Sequence, residues 1–297
     1  MADRAQVIDL LTATNTNEPF PFDFFEKRCL AQGDSWFSIG ALPPTRTTRV
    51  VAELRLEKST VVVNCAKPGA VLRRMTDTSR EVQFLKLLRG KFALKWDALL
   101  ISGGGNDLID AIGASPAGPP DQRLLRTPAE RGDGQGAPLS GADYVSEPGW
   151  QVFANHLSVV FNQLVDERDA GINRTTPLVW HNYARVMPRP SGAGLGFGPW
   201  LLPALELYLV PKADLLKVSD ELLGRLAKLL KDIVAVRMAK DPAANLHIAD
   251  SQSAGIELSA AGSEDTSGDW INEIHCTRAG YQKVAGAYAA VLDPLFA

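Results

Sequence analysis

Residues 60–66, TVVVNCA, are apolar and β-branched and read as an interior strand, followed at once by the turn former KPG. The same kind of text recurs on either side. KRCLAQGDSW reads as a short buried strand before a turn, and WDALLISGG reads as a strand running into a glycine turn. Helical patterns lie between these runs. The spacing predicts an amphipathic helix over about 47–58, within TRTTRVVAELRLEKS, and a second in SREVQFLKLLRG that ends at Gly90. Strand, helix, strand, helix, strand in these lengths calls for parallel pairing through crossover helices, which is the α/β fold class with a central parallel sheet.

The rest of the chain extends this pattern. Residues 1–26 mix a short helical period with a polar, proline-bearing linker and read as an N-terminal extension. Residues 27–297 read as a single domain with no internal repeat. Residues 112–148 are dense in Gly, Pro and Ala and read as a long excursion from the core, either a passive surface insertion or a lid. A helical period in GWQVFANHLSVVFNQLVDERDAG and a buried strand over 175–186 come next. A second Gly and Pro loop spans 188–200. A long helix within KADLLKVSDELLGRLAKLLKDIVAVRMAKD, a short strand ANLHIAD and a closing helix in TRAGYQKVAGAYAAVLDPLF complete the chain.

Composition narrows the function classes. The 297 residues are 45% hydrophobic, enough for a substantial core. Lys and Arg number 31 against 34 Asp and Glu, a formal net charge of -3, so nothing electrostatic favours nucleic acid or an anionic membrane as partner. Cys29, Cys65 and Cys276 cannot all pair within the chain, and their spacing matches no compact metal site. No metal or cofactor is expected. The first residues lack a basic segment followed by an apolar run, and no apolar stretch reaches membrane-spanning length. A cytoplasmic location is the default expectation, with non-classical export left open; oligomeric state has no signature in the sequence.

Four histidines are available as a general base: His156, His181, His247 and His275. His156 falls within a helical period and His247 within a short strand, both ordinary structural settings. His181, at the C-terminal end of a strand, is a candidate for lining a site. His275 precedes a helix that starts at about Thr277, a setting that holds a base and leaves it exposed, and Asp269 and Glu273 are nearby acids that offer an orienting partner. In ISGGGNDLID, Gly103 to Gly105 allow a tight turn at a strand end. Asn106 then presents a side-chain N–H donor suited to an oxyanion, with backbone N–H groups at Ser35 and Gly69 as further donors. Phosphate-loop, nucleotide-binding, G-x-S-x-G and H-E-x-x-H patterns are absent.

Four short blocks in order carry a family resemblance: GDS at 33–35, NCAKPG ending at Gly69, GGND at 104–107 and NEIH at 272–275. Together they resemble the SGNH or GDSL superfamily of serine esterases and lipases. The resemblance implies a flavodoxin-like, three-layer α/β/α sandwich. It also implies Ser35 as nucleophile, His275 as general base, and an oxyanion hole from Ser35 and Gly69 backbone N–H groups with the Asn106 side chain. The family's D-x-x-H block carries an acid three residues before the histidine, where this chain has Asn272. An asparagine can hold the imidazole tautomer without supplying charge, and Asp269 is the alternative orienting group.

The implied reaction is hydrolysis of a carboxylic ester through an acyl-enzyme, on a small-molecule, lipid or glycan ester. Acyl transfer or carbohydrate O-acetyl removal at the same site, and a non-catalytic binding module that kept the fold, are the alternatives. Trp36, His181, Tyr183, Phe197 and Trp200 are candidates for pocket walls, each equally able to be a local anchor.

Overall fold

The computed structural model describes residues 2–38, 48–77, 82–132, 138–194 and 196–297, with the Val82 side chain outside that description. In chain order the strands are β1 (Asp3–Arg4), β2 (Gln6–Asp9), β3 (Lys27–Gly33), β4 (Arg55–Leu56), β5 (Thr60–Asn64), β6 (Ala98–Ser102), β7 (Leu178–His181) and β8 (Leu246–Ala249). Among the described residues, six of them form one parallel sheet in the order β2, β5, β3, β6, β7, β8. The remaining two, β1 and β4, make a small antiparallel pair. The central runs are apolar because both faces of the sheet are covered: Cys29, Leu30, Ala31, Val61, Val62, Val63 and Ala98 to Ile101 are all buried.

The described helices begin with α1 (Leu10–Ala13), α2 (Ser35–Ser38), α3 (Val50–Glu53), α4 (Leu72–Met75), α5 (Val82–Leu88) and α6 (Gly105–Ile112). They continue with α7 (Pro128–Arg131), α8 (Glu147–Asp169), α9 (Leu202–Leu207), α10 (Leu215–Lys240) and α11 (Arg278–Phe296). Neighbouring residues of β7 show how they are layered. Trp180 stacks on Phe161 of α8 with ring centroids 4.3 Å apart, while His181 faces Tyr288 of α11 at 5.8 Å. Successive strand side chains point to opposite faces, so α8 and α11 cover opposite sides of the sheet, as a three-layer α/β/α sandwich requires.

Four readings change in the structure. The helix expected over about 47–58 is only α3, followed by β4, and Thr47 lies outside the described residues. Leu54 and Leu56 are buried two residues apart, a strand spacing, and Ala5 N–H donates to the Leu54 carbonyl at 2.9 Å, so pairing with the N-terminus overrides helical propensity. Residues 1–26 are not a mere extension: β2 pairs with β5 at the sheet edge, and Phe22 packs edge-on to the buried Trp96 at 6.2 Å.

The described part of 112–148 (133–137 fall outside) is anchored rather than lid-like. Leu124, Leu125, Tyr144 and Val145 are buried, and Arg123 and Arg131 are buried while donating to nearby carbonyls, Arg131 to Arg126 at 2.7 Å and Tyr208 at 3.0 Å. Guanidinium groups thus satisfy carbonyls that no strand ladder reaches. The strand expected over 175–186 ends at His181, because Tyr183 adopts a left-handed backbone with φ of 47°. The helix ending at Gly90 is α5, with residues 79–81 outside the described set.

Candidate active site

In an open parallel sheet a crevice forms at the C-terminal strand ends, where connections from adjacent strands depart in opposite directions. Here β3 lies between β5 and β6, and the segments that follow β3 and β6 bring Ser35 and Asn106 to one cleft, with Asn106 bonded to the carbonyl of Ala70, the residue after Gly69. Ser35 opens α2 directly after β3. Asp34 caps that short helix: its Oδ1 accepts from the Trp36 N–H at 3.0 Å and its carbonyl from the Phe37 and Ser38 N–H groups. The Ser35 N–H is left without a partner among the described residues.

Gly69 sits in the turn after β5 with φ of 68°, a conformation that glycine adopts at no steric cost, and its N–H is also unpartnered among the described residues. Gly104, with φ of 101°, turns the chain from β6 into α6. Asn106 then stands in the first turn of α6. One amide hydrogen donates to the Ala70 carbonyl at 3.0 Å, which steers the second toward the cleft that Asn106 lines.

His275 reaches Ser35 across the sequence: its Nε2 is 2.8 Å from Ser35 Oγ. Asn272 Oδ1 is 3.0 Å from His275 Nδ1 and also accepts from the backbone N–H groups of His275 at 2.9 Å and Ile274 at 3.2 Å. Two backbone donors aimed at that atom identify it as the oxygen, so Nδ1 carries the proton and Nε2 is left to accept from the Ser35 hydroxyl. Burial holds His275 down at about 4, with no carboxylate to oppose it. The imidazole is therefore neutral and ready to take a proton at pH 7.

Asp269, the alternative orienting group, is engaged elsewhere. Its Oδ2 accepts from the Glu257 N–H at 2.8 Å and pairs with Lys283 at 2.5 Å. Glu273 also turns away from the imidazole, into the backbone N–H groups of Arg189, Leu201 and Leu202 at 3.2, 2.8 and 2.8 Å and that of Trp200. Neither acid reaches His275, because the loop that carries it fits the oxygen of Asn272 against Nδ1.

His181 does not line the site; it is fully buried behind it. Ser251 Oγ lies 3.2 Å from its Nδ1 and Ser102 Oγ 2.9 Å from its Nε2, and Ser102 donates to Asp34 Oδ1 at 2.8 Å. Tyr183 donates to the other oxygen of Asp34. With Ser102 donating to Asp34, its oxygen accepts from Nε2–H, and a neutral His181 satisfies every polar atom in the line. Burial holds His181 down at about 3 and pushes Asp34 up to about 6 despite its three donors. This network fixes the residue that precedes Ser35. It escaped the sequence reading because Ser102 and Ser251 belong to no motif that names them.

A narrow cleft of about 40 Å³ begins at Ser35 and Asn106. Of the expected wall residues, Trp36 and Tyr183 line it. Phe197 is 53% exposed and is not among the lining residues. Trp200 packs edge-on to the His275 ring at 5.0 Å. The sequence reading missed Leu108, Val186, Leu201, Leu223 and Ile274, which come from five separate segments and make the cleft apolar. Among the described residues no group of three or more His, Cys, Asp or Glu is placed to hold a metal ion. Burial pushes the Cys29 and Cys276 thiols up, away from reactivity. No described helix is long and apolar enough to cross a membrane.

No family model and no curated protein matches the chain. Among solved structures it is similar to the extracellular lipase of Streptomyces rimosus, at 15% identity over 91% of this chain and 99% of that one, TM-score 0.45. It is also similar to an acetylxylan esterase from Geobacillus stearothermophilus, at 14% identity over 89% and 93%, TM-score 0.44. The aryl esterase of M. smegmatis gives 14% identity over 91% and 99%, TM-score 0.47.

Proposed function

We propose that this chain is a serine-dependent carboxylic ester hydrolase of the SGNH or GDSL type, acting through an acyl-enzyme. The observation that carries this reading is the continuous line from Asn272 Oδ1 through His275 to Ser35 Oγ, at 3.0 and 2.8 Å, beside the Asn106 amide and the Ser35 N–H, which has no partner among the described residues. Ser35 Oγ attacks the ester carbonyl carbon while His275 Nε2 takes the hydroxyl proton. The Ser35 and Gly69 N–H groups with Asn106 receive the charge that develops on the carbonyl oxygen. Collapse breaks the bond to the alcohol, which leaves with the proton from Nε2, and Ser35 keeps the acyl group. Water then repeats the cycle and releases the carboxylic acid.

Asn272 supports the tautomer but adds no negative charge, so the imidazolium formed in each transition state relies on hydrogen bonding alone. The apolar lining of the cleft suits an uncharged aliphatic acyl group. A series of aryl esters of increasing acyl length tests the reading. Hydrolysis with a burst of phenol, lost in Ser35→Ala and reduced by orders of magnitude in His275→Ala, is the expected result. Unchanged turnover in Ser35→Ala overturns it.

A further inference from the structure

Glu273 is fully buried, one residue from Asn272 and two from His275, yet it takes no part in the line to Ser35. Its carboxylate collects the backbone N–H groups of three consecutive residues, Trp200, Leu201 and Leu202, together with that of Arg189. Its own N–H donates to the Ser191 carbonyl at 2.9 Å. The four N–H groups bonded to the carboxylate all donate and favour its ionised form, against burial, which pushes the carboxyl up from its ordinary value.

The three residues it holds matter for the site. Trp200 packs on the His275 ring, Leu201 lines the cleft beside Ile274, and Leu202 starts α9. They close and follow the Gly and Pro loop 188–200, whose described residues belong to no named strand. We propose that Glu273 is a positioning residue that sets acyl-chain length, by pinning the cleft wall at Trp200, Leu201 and Leu202 to the short loop that carries the base. The proposal rests on the ester-hydrolase reading. With the carboxylate in place the wall is held against the cleft and short chains are preferred. In Glu273→Gln one carboxylate oxygen becomes an NH2 donor, so two of the four N–H groups face a donor instead of an acceptor, the wall relaxes outward and longer chains gain.

The test is the ratio of kcat/KM for an acetate and a hexanoate aryl ester in wild type, Glu273→Gln and Asn173→Ala. Asn173 ties Leu88, Leu94 and Trp96 together elsewhere in the chain and controls for lost stability alone. Glu273→Gln is expected to move the ratio about tenfold toward hexanoate, with KM for hexanoate falling, while Asn173→Ala lowers Tm and leaves the ratio alone. If Glu273→Gln does not fold, Leu201→Ala, which removes the wall and keeps the carboxylate with its donors, must move the ratio in the same direction. An active wild type with an unshifted ratio in folded Glu273→Gln, or in Leu201→Ala, overturns this proposal alone. A wild type that hydrolyses none of the esters overturns the ester-hydrolase reading and this proposal with it.

Discussion

Replacing Asn272 by aspartate places a carboxylate oxygen where Oδ1 now sits, 3.0 Å from His275 Nδ1. A carboxylate and an imidazolium about 4 Å apart interact by roughly 4 kcal/mol at an effective dielectric of about 20. The cost of desolvating the new charge opposes this. Three donors already converge on Oδ1, but Asn272 Nδ2 is buried with no partner among the described residues, and the second carboxylate oxygen would inherit that position. The net effect expected of an opposite charge at this range raises the imidazole by about 1 to 3 pH units. The acid limb of kcat/KM, set by protonation of His275 near pH 4 in the wild type, moves up by that amount. Because the imidazolium is better stabilised in the transition state, kcat on the alkaline plateau rises by about tenfold or more. The unsatisfied oxygen lowers stability by about 1–3 kcal/mol. A pH–rate profile on a short-chain aryl ester, with thermal unfolding recorded alongside, reads all three effects. An acid limb that stays at its wild-type position in folded Asn272→Asp refutes the assignment of Asn272 as the group against Nδ1.

Three further outcomes are expected. Gly69→Ala introduces a side chain at φ of 68° with open space around it, so it strains the backbone by about 1–2 kcal/mol and misaims one oxyanion donor, lowering kcat by about 10²- to 10³-fold with little change in KM. Asp269→Asn loses the contact with Lys283 and lowers stability by an amount on the order of 1 kcal/mol, while the pH–rate profile keeps its position, since Asp269 does not touch the His275 ring. Stability should fall between pH 7 and pH 5. His181 and His275 take up protons in the unfolded chain near 6.5 but resist them in the folded one until about 3 and about 4, so each costs about 2 kcal/mol at pH 5. Asp34, raised to about 6, binds its proton earlier in the folded state and returns about 1 kcal/mol over the same window. Urea unfolding at the two pH values shows the net loss of about 3 kcal/mol, and His181→Gln removes about 2 kcal/mol of it.

The parallel sheet is legible because both-face burial writes itself locally: TVVVN and ALLIS need no partner in view to be read as interior strands. Ser35, Gly69, Asn106 and His275 can be singled out as candidates for a related reason, since each sits at the junction of an element and a turn, and the structure brings Ser35 and His275 into contact. The failures share a different cause. Leu54 and Leu56 satisfy a helical and a strand reading equally, and only the N-terminal segment that pairs there decides between them. The cleft wall gathers Leu108, Val186, Leu201, Leu223 and Ile274 from five separate segments, an arrangement with no period along the chain. Asn272 and Glu273 are neighbours on an irregular loop, so nothing in their spacing says that one faces the imidazole and the other faces away. His181 is a candidate for lining the site because it ends a strand, but strand alternation turns it toward α11 and the buried network.

The most direct measurement is covalent labelling with an alkyl fluorophosphonate, read by intact mass and peptide mapping. Ser35 Oγ displaces fluoride at phosphorus while His275 takes the hydroxyl proton, so the account predicts one adduct per chain, on Ser35, formed in step with loss of esterase activity. Labelling should be absent in Ser35→Ala and slowed by orders of magnitude in His275→Ala. An adduct on another residue, or esterase activity that survives stoichiometric labelling, would contradict it.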